Sequence, residues 1–424
     1  VNHTPIFRRL GFHYYQDTLH YTDRDLRTWL PLLKNIGVGW LVLRSETSRA
    51  IPESFLSALI KAGIQPFIQF NISLADPPET NSLAGLVNAY TRWGVTYIQF
   101  YDRPNQRESW PVTNWTQQDL VDRFLDRFLP LAGLVVQAGA HPVFPALEPG
   151  GNFWDLAFLA AALQSMQRRK QNSVLDRLVL AAYGWTFNQS LDWGAGGPER
   201  WPETLPYQTP PGSQDQRGFH IYDWYRAISR SILDKPHPVF LLQAGLPDHP
   251  KRLSPNQLNI EKLNHQTLEI YRRATTTRTD KSIDSDIHLP EDILGCSFYL
   301  LAAETSSPNE PFAWFNSQGA LQPTAKHISK DFVRSPQVDS LPGALDENFL
   351  IKVTHPIPHY LLLDPETQWD RFVPFIQQHH PTIGFSPDEA LLAARVTLTG
   401  SERPITKMMF ERLKPTGVCV EVID

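Results

Sequence analysis

Eight runs of strand-forming apolar residues, each followed by a stretch with helical periodicity, leave few folds open to this chain. The runs lie at 10–14, 40–44, 65–71, 97–101, 142–147, 178–183, 239–243 and 295–301. Most are continuous rather than alternating, as expected of strands buried on both faces. Amphipathic segments at 24–35, 52–62, 82–93, 117–137, 154–169, 222–233 and 257–277 separate them, and a last helix is expected at 323–331. Gly37 and Gly63 stand where the first two of these segments must end, as left-handed C-caps. Eight βα repeats at this length predict an α/β fold, a (β/α)8 TIM barrel.

The pattern then breaks and restarts. A Ser-, Pro- and Gly-rich linker separates the barrel from strands expected at 359–364, 382–385, 396–399 and 418–423. Helices are expected at 368–379, from Ser386 to 395, and at 405–413, the second opened by Ser386-Pro-Asp-Glu389. The chain therefore divides into a barrel over 1–335, a linker over 336–350 and a small α/β domain over 351–424. That domain has no Gly-rich phosphate loop, and its expected role is to pack on the barrel or hold a partner.

Several function classes drop out. A net charge of −5 without a long basic run argues against a nucleic-acid footprint. No apolar stretch reaches the ~18 residues of a membrane span. Val1-Asn2-His3-Thr4 shows no charged and apolar leader pattern, and the compartment stays open. Cys296 and Cys419 are far apart and read as two buried thiols. No His-Glu-x-x-His occurs, and the prolines in His355-Pro-Ile-Pro-His359 prevent a helical His pair, so no metal site is expected. The glycines of 191–201 lack the strand-to-helix setting of a dinucleotide loop, and no Gly-x-Ser-x-Gly elbow is present. No cofactor is expected. The 36 prolines, interleaved with aromatics, suit long ordered loops.

Barrel chemistry sits at the C-terminal ends of strands. Those ends carry His13-Tyr14-Tyr15-Gln16-Asp17, Arg44-Ser45-Glu46, Gln69-Phe70-Asn71, Asp102-Arg103-Pro104-Asn105, Glu148-Pro-Gly-Gly-Asn152, Tyr183-Gly-Trp185, Gln243-Ala-Gly245 and Ala303-Glu304. Trp314 lies a little beyond the eighth. Rings stack on the apolar faces of sugars while amides and carboxylates bind hydroxyls, so this rim suits an oligo- or polysaccharide better than a phosphate ligand.

Residues 8–333 resemble the large retaining glycoside hydrolase clan. The resemblance rests on Pro104 closing the fourth-strand motif, Gln243-Ala-Gly245 after the seventh strand, the Gly150-Gly151-x-x-Trp154 turn, and Trp314 in Pro311-Phe-Ala-Trp-Phe315. The clan implies a general acid/base Glu at the position of Arg103 and a nucleophilic Glu at that of Gln243. Both carboxylates are replaced. Retaining hydrolysis needs two carboxyl groups ~5–5.5 Å apart. Arginine cannot donate its proton near neutral pH, and glutamine cannot form the glycosyl ester.

Two readings follow. In one, relocated carboxylates, Glu148 and Asp102, hydrolyse O-glycosidic bonds. In the other, the barrel is a catalytically inactive relative that binds a glycan or a protein partner. Tyr14, Asn71, Arg103, Asn105, Tyr183, Trp185, Gln243 and Trp314 are the expected substrate contacts. Against these stand structural roles, above all Arg103 as an ion-pair partner that keeps Asp102 and Glu148 ionised. A structural or assembly role involving the C-terminal domain is a third class.

Overall fold

A computed structural model describes residues 9–254, 258–275, 288–328, 355, 357–363, 369–400, 404–413 and 418–423. Eight parallel strands close into a barrel: β1 (Leu10–His13), β2 (Trp40–Ser45), β3 (Gln65–Phe70), β4 (Tyr97–Phe100), β5 (His141–Phe144), β6 (Val179–Tyr183), β7 (Val239–Ala244) and β8 (Ile293–Phe298). β1 pairs with β8 through Leu10–Cys296, Gly11–Ser297 and Phe12–Phe298, which completes the ring. Every expected barrel strand is present, with ends moved by up to three residues.

The strand period of two sorts side chains into two layers. Trp40, Val42, Phe67, Val143, Val179, Ala181, Phe240 and Leu242 fill the interior. Phe12, Leu41, Leu43, Ile68, Phe70, Ile98, Phe100, Phe144 and Leu180 face the helices. The bottom of the interior is aromatic, with Trp40 edge-on to Phe240 at 4.6 Å and Phe67 at 4.9 Å from the same ring. Cβ-bearing residues could not replace Gly295, whose added Cβ would lie 2.5 Å from the Phe240 ring.

The helices are those the pattern requires. The first, Asp23–Asn35, opens on a Thr22/Asp25 capping box. Gly37 and Gly63 take φ values of 77° and 79° just past the first two helices. The helix expected at 323–331 is only a 3₁₀ turn, Pro323–Ala325, within the described residues. Short strands β9 (Ala302–Ala303) and β10 (Phe315–Asn316) pair beside β8. The linker lies outside the described residues.

Beyond it, β11 (Tyr360–Leu362), β12 (Thr382–Gly384), β13 (Arg395–Thr399) and β14 (Cys419–Ile423) form a parallel sheet in the order β12-β11-β13-β14. Helices Val373–His379, Pro387–Ala390 and Pro404–Leu413 connect them, and Ser386 caps the second as expected. Cys296 is buried, but Cys419 is exposed, correcting the expectation of two buried thiols. It lies on edge strand β14, which has a neighbour on one side only.

This sheet docks on the barrel mouth. The segment after β2 lies along the β12 edge: Arg49 forms an antiparallel bridge with Gly384, Ala50 N–H donates to Ile383 O, and Phe385 N–H donates to Ser48 O. Ser48 Oγ also donates to Glu389 at 3.0 Å. Gly384 has no alternative there, since an added Cβ would fall 1.8 Å from the Tyr360 hydroxyl.

Candidate functional site

The ends of β4 to β7 converge on one ionic cluster. Arg103 Nε donates to Asp102 at 3.0 Å, and its Nη1 donates to Glu148 Oε2 at 3.3 Å. The other Glu148 oxygen, Oε1, meets Arg252 Nη1 at 2.7 Å. Tyr183 donates its hydroxyl to Asp102. The Tyr183 and Trp185 rings stack at 4.4 Å, and Trp185 Nε1 donates to Gln243 Oε1 at 3.0 Å. His249 lies edge-on to Trp185. Glu148 is 2% exposed, Arg103 20%, Asp102 38% and Arg252 54%, so the cluster meets solvent at its Asp102 and Arg252 ends around a buried Glu148.

The backbone is unusual at two positions of this cluster. Arg103 has φ 45° and Gln243 has φ 52°, with Tyr101 at 64° just before. Left-handed backbone at a non-glycine residue costs roughly 1–3 kcal/mol and persists where the surroundings over-determine it. Here Arg103 N–H is held by Ala146 O, and the side chains of both residues are tied down.

Burial pushes the Glu148 carboxyl above its usual pKa, while Arg252 and Arg103 pull it back. Burial opposes the charge of Arg103, but Asp102, Tyr183 and Glu148 together raise its pKa. Burial and then the charges of Arg103 and Arg252 lower His249 to about 3. Its Nδ1 accepts from Lys251 N–H at 3.1 Å, which suits a neutral ring. Burial raises Tyr183 far above its ordinary value, with Asp102 next in effect. The tyrosine is a hydrogen-bond donor here, not a phenolate.

Six of the ten expected site residues meet in this cluster: Asp102, Arg103, Glu148, Tyr183, Trp185 and Gln243. Tyr183 and Trp185 are buried and stacked on each other, so they form a wall behind the cluster rather than an open sugar platform. Asn105 is buried beneath it. Its Nδ2 donates to Glu148 O and Phe153 O, and its Oδ1 accepts from Glu148 N–H, which clamps the β5 loop.

Tyr14 and Trp314 are elsewhere. Strand parity turns His13 inward and Tyr14 outward, where it packs with Tyr15, Tyr21 and Phe55. Trp314 packs edge-on to Phe12 at 4.6 Å and against Phe298 on the helix-facing layer. Neither reaches the mouth. Asn71, just past β3, is exposed and lines a separate cleft with Arg44 and Glu46.

Other buried or charged groups near the mouth were not among the expected site residues. Arg252 and His249 come from the segment after β7, and Arg252 is nine residues past Gln243; only a search of the whole loop would have found it. His13 points into the interior near Tyr299, and burial followed by the Arg44 charge lowers it to about 3. Its Nε2 is buried without a hydrogen-bond partner. Among the described residues, no group of three or more His, Cys, Asp or Glu side chains could hold a metal ion. No described helix is long and apolar enough to cross a membrane.

No protein-family model and no curated protein matches this chain. Solved structures do. A monomeric β-xylosidase from Caulobacter crescentus CB15 is similar at 13% identity over 76% of this chain and 66% of that one, with a TM-score of 0.44. A calcium-binding mutant of Bacteroides uniformis β-glucuronidase 2 gives 11% identity, coverage of 78% and 35%, and 0.43. CelM2, a bifunctional glucanase-xylanase from a metagenome library, gives 9%, 78% and 78%, and 0.39. The chain thus spans just under two thirds of the xylosidase. At such identities and scores these likenesses decide neither substrate nor chemistry, which rest on the residues above.

Proposed function

We propose that this chain is a carbohydrate-directed barrel that binds saccharide without cleaving it by the two-carboxylate route. The carrying observation is the Arg103 guanidinium, which bridges Asp102 and Glu148 and which the sequence resemblance would set at the clan's acid/base position. A general acid must hold a proton and present it to the leaving oxygen. Glu148 has one oxygen on Arg103 and the other on Arg252, and it is almost wholly buried. Asp102 accepts from both Arg103 and Tyr183. Each carboxylate is thus engaged by cations or donors instead of being free to meet a leaving oxygen. At the nucleophile position, the Gln243 amide oxygen is engaged by Trp185.

The carbohydrate part of the reading is supported by the open side of the mouth, where Gln16, Asp17, Arg44, Glu46 and Asn71 offer donors and acceptors of both kinds. The test has two arms. On a glycan array the full chain should retain a defined set of saccharides. With chromogenic glycosides of the same sugars it should show no turnover above buffer. Turnover that disappears in Glu148→Gln would reject the silent-barrel reading in favour of relocated carboxylates. An array with no retained glycan would reject carbohydrate binding itself.

A further inference from the structure

We infer that the C-terminal α/β unit forms one wall of the saccharide site through its helix Pro387–Ala390 and the turn after it, and that this site takes a neutral, hydroxyl-rich unit of one or two sugar rings. The inference rests on the carbohydrate-directed reading above and locates it. A cleft of about 300 Å³ lies between the β1, β2 and β3 ends of the barrel and the C-terminal unit. The barrel side supplies Gln16, Asp17, Arg44, Glu46 and Asn71 among others, and the C-terminal unit supplies Glu389, from the helix Pro387–Ala390, and Leu392, from the turn after it. That volume is at the lower end of small-molecule sites, ~300–1,000 Å³.

The two walls are fixed to each other rather than merely adjacent. The Arg49–Gly384 bridge and its flanking backbone hydrogen bonds add segment 48–50 to the β12 edge, directly beside the cleft. Ser48 and the Tyr360 hydroxyl both donate to Glu389, which aims that carboxylate at the barrel.

The lining has unused hydrogen-bonding capacity. Arg44 donates through Nη1 to Gln16 O, and Arg49 through Nη2 to Thr18 O and Oγ1. Neither guanidinium lies within ion-pair distance of a carboxylate among the described residues. Gln16 Nε2 is buried with no partner. The Glu46 carboxylate accepts from Thr18 Oγ1 at 3.2 Å through Oε1. Leu19 and Leu392 provide small apolar surfaces for ring C–H groups.

Charge decides the ligand class. Asp17 is already paired with His20 at 2.7 Å, which leaves two carboxylates, Glu46 and Glu389, against two guanidiniums, so a phosphate or uronate gains no net attraction. Vicinal hydroxyls, which donate to carboxylates and accept from guanidiniums, match the mixed lining.

The test titrates the full chain with xylobiose, cellobiose, laminaribiose and chitobiose, followed by calorimetry and ligand-observed NMR. Asn71→Ala alters an exposed side chain on the barrel wall and should weaken binding about tenfold. Leu392→Trp fills the cleft from the other wall and should abolish binding. Glu421→Ala, on the far edge strand β14, should change nothing. Melting curves show that each variant is folded; if Leu392→Trp is not, Asn71→Ala decides. A disaccharide that binds wild type and both cleft variants equally overturns the composite site while leaving carbohydrate binding intact. Failure of all four to bind wild type overturns the inference, and the array then judges the broader reading independently. Inorganic phosphate binding that is lost in the cleft variants overturns the neutral class.

Discussion

Replacing Arg103 by Met tests the ionic cluster most directly. The change removes the guanidinium that bridges Asp102 and Glu148 and keeps much of the side-chain bulk. Breaking a buried ion pair by deleting one partner costs ~3–5 kcal/mol, because the remaining charge is stranded. Arg103 is 20% exposed and Glu148 retains Arg252, so the lower part of that range or just below it applies, about 2–3 kcal/mol. The Asp102 arm, 38% exposed, adds less than ~1 kcal/mol. For a barrel of this size the melting temperature should fall by roughly 3–6 °C.

The loss should depend on pH. Burial already holds the Glu148 pKa above its ordinary value. A carboxyl raised on folding contributes stability below its unfolded pKa and loses it as pH rises through the folded value. Without Arg103 the folded value climbs further, so the deficit against wild type should be larger at about pH 8 than at about pH 5. Adding Glu148→Gln to Arg103→Met should remove that pH difference. The assay is a set of thermal melts of wild type and the variants at both pH values. An Arg103→Met protein as stable as wild type, or a deficit independent of pH, would refute the account of Glu148 as a buried charge held by guanidiniums.

Three further outcomes are expected. Trp314→Ala should cost about 3–5 kcal/mol, read as a melting shift, yet leave any glycan binding unchanged, because its ring fills the helix-facing layer. His13, lowered to about 3, should show no imidazole titration by NMR above about pH 4; since folding excludes a proton that the unfolded chain binds, wild type should lose stability as pH falls below ~6.5, and His13→Gln should lose less. A thiol reagent should label Cys419 in the native protein and Cys296 only on unfolding, because Cys296 is buried with its thiol pushed up to about 12; rapid native labelling of both would contradict the packing of β8.

The barrel was legible in the sequence because its signal is local and repeated. A strand buried on both faces must be apolar throughout, and a helix covering it must be amphipathic, so eight repetitions leave a pattern that survives errors of a few residues at each end. The C-terminal strand and helix pattern was legible for the same reason. Arg103 and Gln243 could be placed near strand ends for the same reason, since they lie within three residues of the ends of β4 and β7.

What the linear pattern could not supply was direction and distance. Tyr14 and Trp314 have the right chemistry for a sugar site, but a half-turn of strand parity in one case and loop packing in the other send them to the outer layer. Trp185 has the right place and is sealed behind Tyr183. Arg252 completes the cluster from deep in a loop, and Glu389 reaches the mouth from more than three hundred residues beyond Glu46. Side-chain chemistry and period are properties of neighbours in the chain, so the sequence alone determined the barrel. Burial, charge pairing and the docking of the β12 edge arise between residues distant in the chain, so only the tertiary structure decided which acids are held by arginines and which side of the mouth stays open.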